Sequence, residues 1–108
     1  MAKTIQFVYK DKEYTLEFTR RTIRRMEDEG FVPSEIDRKP ATMIPQLFAG
    51  AFRAHHPLIK PDLVEEIFAS IENKEDLIIT LAEMYNEPLM AMVEEPETGK
   101  NVSWTVNR

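Results

Sequence analysis

The stretch Ile5–Phe18, with the sequence IQFVYKDKEYTLEF, decides the fold of the first part of the chain. Its apolar side chains stand at alternate positions on either side of a short polar run, Lys10–Glu13. They are Ile5, Phe7, Tyr9, Tyr14, Leu16 and Phe18. Alternation of this kind is typical of strands with one buried face. We therefore predict an antiparallel β-hairpin over residues 4–18, whose apolar face needs a cover because a lone hairpin is only marginally stable in water.

A helix is predicted directly after the hairpin, over residues 20–29. Thr19 can cap its first turn, and Gly30 is placed to end it in a left-handed turn. Ile23 and Met26 fall on one side of this helix, which would cover the hairpin. The opposite side carries four guanidinium groups, those of Arg20, Arg21, Arg24 and Arg25.

Prolines and apolar periodicity divide the next part of the chain into three further helices. The first, over residues 43–56, is preceded by a proline-containing loop and stopped by Pro57. The next, over residues 61–72, opens with Pro61, a residue suited to a first helical turn. The last covers residues 74–93.

Two residues set the expected limits of that last helix. Asn73 is a candidate cap for its first turn. Pro88 should kink the helix or end it near Asn86, because proline removes one helical hydrogen bond. The predicted architecture is an α+β domain over residues 1–93, a hairpin packed on three to four helices.

The remaining residues, 94–108, form a tail with a different pattern. Helical periodicity is lost after Val93, and Val102, Trp104 and Val106 then alternate with polar residues. The tail is therefore expected to be extended, as an added strand, or disordered until a partner arrives.

Charge is unevenly distributed along the 108 residues, whose formal net charge is -5. Residues 1–25 carry +4, residues 26–60 carry -1, residues 61–97 carry -10 and residues 98–108 carry +2. Such asymmetry indicates charged partners or head-to-tail self-association, although two solvated faces would give the same pattern. The sequence contains no long apolar stretch and no signal peptide, which predicts a cytoplasmic protein.

The sequence offers little material for catalysis. It has no cysteine, and its three glycines form no phosphate-binding loop. His55 and His56 are adjacent, so on a helix they point about 100° apart and do not form a chelating pair. We therefore expect no enzymatic activity, no cofactor and no metal site.

Two groups of residues are candidates for binding a partner. The four arginines of the first helix could follow a phosphate backbone or an acidic protein surface, and the overall acidity favours the protein surface. The second group consists of apolar residues of the last predicted helix that are not needed for its core-facing side. They are Ile79, Leu89, Met90 and Met92, and Trp104 of the tail is added to them. Methionine-rich surfaces adapt to varied partners, although these side chains could simply close a small core.

The order of these segments resembles a known family. The segments Phe7–Phe18, Thr19–Glu27 with Gly30–Phe31, Leu47–His56 and Asn73–Tyr85 are similar to those of the tail assembly chaperones of long-tailed phages and prophages of Gram-positive bacteria. The likeness covers roughly residues 5–93. It implies a protein that coats the tape measure protein, helps recruit tail tube subunits and is left out of the finished virion. It transfers no functional residue.

Two other functions remain open from the sequence. One is a small DNA-binding regulator that uses Arg20, Arg21, Arg24 and Arg25. The other is a structural head-tail or tail component of the virion. Contact between the basic front and the acidic back of different copies would also make the protein a homo-oligomer.

Overall fold

The computed structural model describes residues 3–93 and 102–106. Within these residues it contains a two-stranded sheet, four α-helices and one 3₁₀ turn. Their order is β1 (Ile5–Tyr9), β2 (Lys12–Leu16), α1 (Arg20–Asp28), the 3₁₀ turn (Pro33–Glu35), α2 (Pro40–Ala51), α3 (Pro61–Ser70) and α4 (Lys74–Ala91). The predicted α+β class, with an N-terminal antiparallel hairpin followed by helices, is confirmed.

The hairpin turns within two residues. β1 and β2 are antiparallel, with Ile5 opposite Leu16 and Tyr9 opposite Lys12. Lys10 and Asp11 form the loop, with φ values of 48° and 68°. Two consecutive left-handed residues are typical of the type I′ turn, whose twist matches that of the flanking strands.

The start and end of α1 follow from local chemistry. The Thr19 hydroxyl accepts a hydrogen bond from the Thr22 amide, and the Thr22 hydroxyl accepts one from the Thr19 amide, at 3.2 and 2.9 Å. This reciprocal pair satisfies two amides that the first turn leaves free. Beyond the helix, Gly30 has a φ of 94°, a conformation that a side chain would strain.

Helix α2 begins earlier and ends earlier than the predicted span of residues 43–56. Pro40 fits the first helical position, where its fixed φ is suitable and no amide is needed. As a result Pro45 lies in the second turn, inside the helix. At the other end, the residues after Ala51 form turns in which the His56 amide donates to the Phe52 carbonyl at 2.7 Å.

Helices α3 and α4 are each two residues shorter at the C-terminal end than predicted. Asn73 precedes α4 in a left-handed conformation, but its side chain makes no capping hydrogen bond. Of the two effects predicted for Pro88, a kink or an end near Asn86, the second is wrong, since the helix continues to Ala91. Leu89 packs against the core, and this contact holds the last turn in place.

Helix α2 is central and packs against α1, α3 and α4. The core is built from β2, the four helices and the segments beside them, with Leu16, Phe18, Phe52 and Leu81 almost completely buried. Gly50 allows α1 and α2 to approach closely, because a Cβ atom there would overlap the Met26 thioether. Within the described ranges, the buried apolar residues are Tyr14, Leu16, Phe18, Ile23, Met26, Phe31, Met43, Leu47, Phe48, Ala51, Phe52, Val64, Ile67, Leu81, Met84 and Tyr85.

The predicted tail is described only in part. Residues 102–106 form no regular secondary structure and are exposed. Residues 94–101, 107 and 108 lie outside the described residues. No helix in the described ranges is both long enough and apolar enough to cross a bilayer.

Candidate partner-binding surfaces

Helix α1 presents a basic surface to solvent. Thr22, Ile23 and Met26 are buried, so the opposite side of the helix, with all four predicted arginines, is exposed. Arg25 lies 3.7 Å from the Glu29 carboxylate. Arg20, Arg21 and Arg24 form no ion pair with any residue that the structure describes. Three guanidinium groups therefore remain available for a negatively charged partner.

Glu29 also joins α1 to α2. Its other carboxylate oxygen lies 2.6 Å from Nη2 of Arg53. A small cavity of about 110 Å³ lies beside this pair, and two buried polar atoms, Gln46 Oε1 and Arg53 Nη1, have no hydrogen-bond partner among the residues that the structure describes. A space of this size suits a few water molecules and is too small for an organic ligand.

The C-terminal end of α4 exposes methionine side chains. Met90 is 49% exposed and Met92, just beyond the helix, is 62% exposed. Val93 follows them at 80%. Leu89, predicted to belong to the same surface, instead packs against the core and is only partly exposed. The exposed group, which we name the α4 end patch, consists of Met90, Met92 and Val93.

Ile79 stands apart from the α4 end patch. It is 51% exposed and lies on nearly the same side of α4 as Met90, because eleven residues correspond to about three helical turns. The turns between them place Glu83 and Asn86 on this side, and both are exposed. The apolar residues predicted as one surface on the last helix are therefore split by polar side chains.

A second apolar surface, not predicted from the sequence, lies between α2 and α3. It is an open groove of about 340 Å³, which we name the α2–α3 groove. Phe48 and Phe68 form its floor, with ring centroids 5.0 Å apart, and Glu65 is its one charged lining residue. Its remaining lining residues are Pro45, Ala49, Pro61, Val64 and Ala69.

The two adjacent histidines are held by different partners. His55 Nε2 lies 2.7 Å from a carboxylate oxygen of Glu17. His56 Nε2 accepts a hydrogen bond from the Thr15 amide at 3.0 Å, and its ring lies against Tyr14. In the ranges 3–93 and 102–106, no three His, Asp or Glu side chains gather where they could hold a metal ion.

Trp104 is 79% exposed, and its neighbours Val102 and Val106 are exposed as well. The predicted partner-binding residues thus occupy separate places: the basic side of α1, α4 with the residue just beyond it, where Ile79 stands apart from Met90 and Met92, and the tail. The structure does not bring them together into one site.

A family model described as a domain of unknown function, DUF5055, matches residues 1–108. The chain belongs to this family. No curated protein and no solved structure matches this DUF5055 protein.

Sequence reasoning missed the α2–α3 groove because the groove combines residues from two helices. Pro45 falls in the first turn of the predicted helix over residues 43–56 and Pro61 opens the next one, and the apolar rings of both are also lining residues. The useful signal in the sequence was the pair of small residues, Ala49 and Ala69, one on each helix. Small side chains leave space beside the larger Phe48 and Phe68 rings.

Proposed function

We propose that this protein is a non-enzymatic phage tail assembly chaperone, which binds the tape measure protein and helps recruit tail tube subunits. The observation that carries the proposal is accessible apolar helix surface at two places, the α2–α3 groove and the α4 end patch. The resemblance of residues 5–93 to these chaperones supplies the identity of the partner.

The chemistry of the two surfaces fits an amphipathic helical partner. A groove between two helices accepts the apolar face of a third helix, through side chains spaced three and four residues apart. Methionine side chains adapt to partners of varied shape, because they are unbranched and have three rotatable bonds. A chaperone that coats a long chain meets many different segments and benefits from both properties.

The basic surface of α1 provides a second contact in this proposal. Arg20, Arg21 and Arg24 would bind an acidic region of another subunit or of the tail tube protein, because guanidinium groups form strong paired hydrogen bonds with carboxylates. The complex would form in the bacterial host cytoplasm, where tails are assembled.

Capture of tape measure fragments by the purified protein tests the proposal. Those fragments come from the very long helical reading frame expected immediately downstream of this gene. We expect Met90→Asp with Met92→Asp, and separately Ala69→Lys in the α2–α3 groove, to weaken capture about tenfold or more, because each puts a charge where apolar contact is needed.

Matched controls are available on the same helix. Ala82→Asp adds one carboxylate to α4, and Ala82→Lys adds one ammonium group, in both cases at an exposed position eight residues before Met90 and outside the lining of the α2–α3 groove. Both controls should capture the fragments as the unchanged protein does. Capture that persists in all variants would contradict the proposal.

Two other outcomes would favour the alternative functions. Binding of random duplex DNA at low salt, lost on replacing Arg20, Arg21 and Arg24 by glutamine, would indicate a DNA-binding regulator. Recovery of the protein from purified virions would indicate a structural tail component.

A further inference from the structure

The two outer edges of the hairpin differ in whether their outward-pointing backbone groups have hydrogen-bond partners. In a two-residue hairpin the closing pair, Tyr9 and Lys12, exchanges hydrogen bonds, and every second pair along the ladder does the same. The amides of Glu13 and Thr15 therefore point away from β1. Thr15 donates to His56, and beyond the strand the Glu17 amide donates to the Ala51 carbonyl at 2.9 Å. The outer edge of β2 is thus partly covered by the segment that follows α2.

No segment within residues 3–93 and 102–106 covers the outer edge of β1 in this way. By the same alternation, Gln6 and Val8 direct their amides and carbonyls away from β2. Neither residue makes a backbone hydrogen bond outside the hairpin with any residue that the structure describes. Both side chains are exposed, Val8 to 64%. An open edge of this kind accepts a further strand.

The apolar face of β1 is also incompletely covered. Tyr14, Leu16 and Phe18, contributed by β2 and the residues after it, are at most 3% exposed. The alternate residues of β1, by contrast, are only partly buried, although they pack against the same core; they are Ile5, Phe7 and Tyr9. A row of three apolar side chains at alternate positions therefore borders the open edge.

The tail carries a matching row. Val102, Trp104 and Val106 stand at alternate positions over five residues, the length of β1, and all three are exposed. Phe7 already stacks on Tyr14, with ring centroids 5.4 Å apart. A strand whose central residue is Trp104 would extend this aromatic ladder by one ring, an arrangement that stabilises neighbouring strands.

Charges at the ends of the two segments are complementary. Lys100 and Arg108 flank the tail segment, two residues from either end. Beside β1 the carboxylates outnumber the ammonium groups, since Glu66, Glu83 and Glu87 lie near Lys3 and Lys10. Glu66 accepts a hydrogen bond from Tyr9, and Glu87 accepts one from the Lys3 amide at 3.2 Å. The complementarity holds for a parallel or an antiparallel strand, because both ends of each segment are charged.

We propose that residues 102–106 of a second copy of this chain pair with the open edge of β1 and place Trp104 beside Phe7. The partner is a second copy because, within one chain, residues 102–106 are exposed and form no strand. Each copy offers one edge and one tail. Reciprocal exchange therefore closes a dimer, and one-way exchange builds a chain.

The test uses the full chain, and its readouts are molar mass by light scattering and the fluorescence of Trp104, the single tryptophan of the protein. We expect association to rise with concentration and the emission of Trp104 to move to shorter wavelength with it. Trp104→Ser should weaken association about tenfold or more, because it removes the central side chain. That residue is exposed, so the substitution leaves the core intact.

Substitutions at the strand edge provide the matched pair. Val8→Pro removes an outward amide from the open edge and should also abolish association. Glu13→Pro removes the outward amide of the residue directly opposite, on β2, and should leave association unchanged. Circular dichroism establishes that both variants are folded, and Val8→Lys replaces Val8→Pro if the proline unfolds the hairpin.

Mixing the two defective variants gives the sharpest result. Val8→Pro retains the tail, Trp104→Ser retains the edge, and neither should associate alone. Their mixture should associate, and the tryptophan emission of the Val8→Pro chain should then shift. The proposal is overturned by a monomer at all concentrations, by association that both variants leave intact, or by a shifted emission that does not depend on concentration, which would mean that each tail binds its own chain.

Discussion

His56 closes the outer edge of β2, and the way it does so determines its protonation state. Its Nε2 atom accepts a hydrogen bond from the Thr15 amide, so this nitrogen carries no proton. Burial, followed by electrostatic interaction with the neighbouring Lys12 and His55, holds the pKa of His56 below its usual value. Folding therefore favours the neutral form of the His56 ring.

This arrangement predicts a loss of stability in mild acid. A histidine whose pKa is lower in the folded than in the unfolded state takes up its proton preferentially on unfolding. The free energy of unfolding should therefore decrease as the pH falls through the unfolded-state pKa of about 6.5 towards the lower folded-state value.

Denaturant titrations of the unchanged protein and of His56→Gln at a series of pH values measure this effect. The glutamine amide oxygen can still accept from Thr15 but does not titrate. We expect the variant to lose less stability than the unchanged protein between about pH 7.5 and pH 5. Equal losses would show that His56 does not titrate on unfolding.

Individual residues differ in how far the sequence reveals their roles. Thr19 and Gly30 act on the helix beside them, and local pattern identified both. His56 acts on Thr15, 41 residues away, and nothing in the residues around it indicates that contact. The sequence showed only that the histidine pair was unsuited to chelation.

At the scale of elements, the turn of the hairpin carries unfavourable backbone energy. Lys10 and Asp11 both adopt left-handed conformations, which glycine adopts without steric cost. The sequence indicated a polar turn of four residues, whereas the strands continue until only two remain. The register follows from this short loop.

Asp11→Gly should therefore stabilise the protein. Relief of the left-handed strain is worth about 0.5–1 kcal/mol in the free energy of unfolding, after allowance for the greater freedom of glycine in the unfolded chain. Lys10 is kept, because its ammonium group pairs with Glu66. Thermal and denaturant unfolding measure the change.

Asp11→Ala is the control for that experiment. It removes the same carboxylate but retains a Cβ atom, so it should be less stable than Asp11→Gly. If the two variants have equal stability, the conformation of the turn is not a source of strain.

Two helices contain a proline where local rules place a boundary. Pro45 lies in the second turn of α2, and Pro88 lies in the last turns of α4. In each case the helix continues because residues beyond the proline are held by tertiary packing; Leu47 and Phe48 are in the core and Leu89 packs against it. The sequence predicted that these helices exist, but packing decided their limits.

At the scale of the whole molecule, opposite charges from the N-terminal and C-terminal parts of the sequence pair within one chain. Two lysines, Lys3 and Lys10, lie beside the ends of β1 and contact the acidic helices there. Lys10 lies 3.1 Å from Glu66 of α3, and Lys3 lies 4.0 Å from Glu83 of α4. The hydrogen bond from Tyr9, together with Lys10, lowers the pKa of Glu66, and Glu66 raises the pKa of Lys10. Some of the asymmetry therefore orients the hairpin on the helices.

Exchange of the Lys10 and Glu66 charges tests this orientation. Lys10→Glu and Glu66→Lys should each lower the midpoint of thermal unfolding, because each places like charges together. The double variant restores an opposite pair and should recover most of the loss. If the losses of the two single variants add in the double variant, the two groups do not interact. Single variants with an unchanged unfolding midpoint would lead to the same conclusion.

The composition of the candidate binding surfaces was the part of the molecule that the sequence predicted least well. The arginines of α1 were found from the sequence, because one helix places them together. The α2–α3 groove depends on the packing of two helices whose contact has no local signature. The apolar residues of α4 were predicted as one surface, but Leu89 packs against the core, and Glu83 and Asn86 separate Ile79 from Met90.

The cover on β2 has a consequence for synthesis of the chain. The hairpin is complete once Phe18 has left the ribosome, but the atoms that cover its second edge belong to Ala51 and His56. About half of the protein must therefore emerge before that edge is protected. Until then both edges of the nascent hairpin are exposed, and neighbouring ribosomes on one message would hold such hairpins close together.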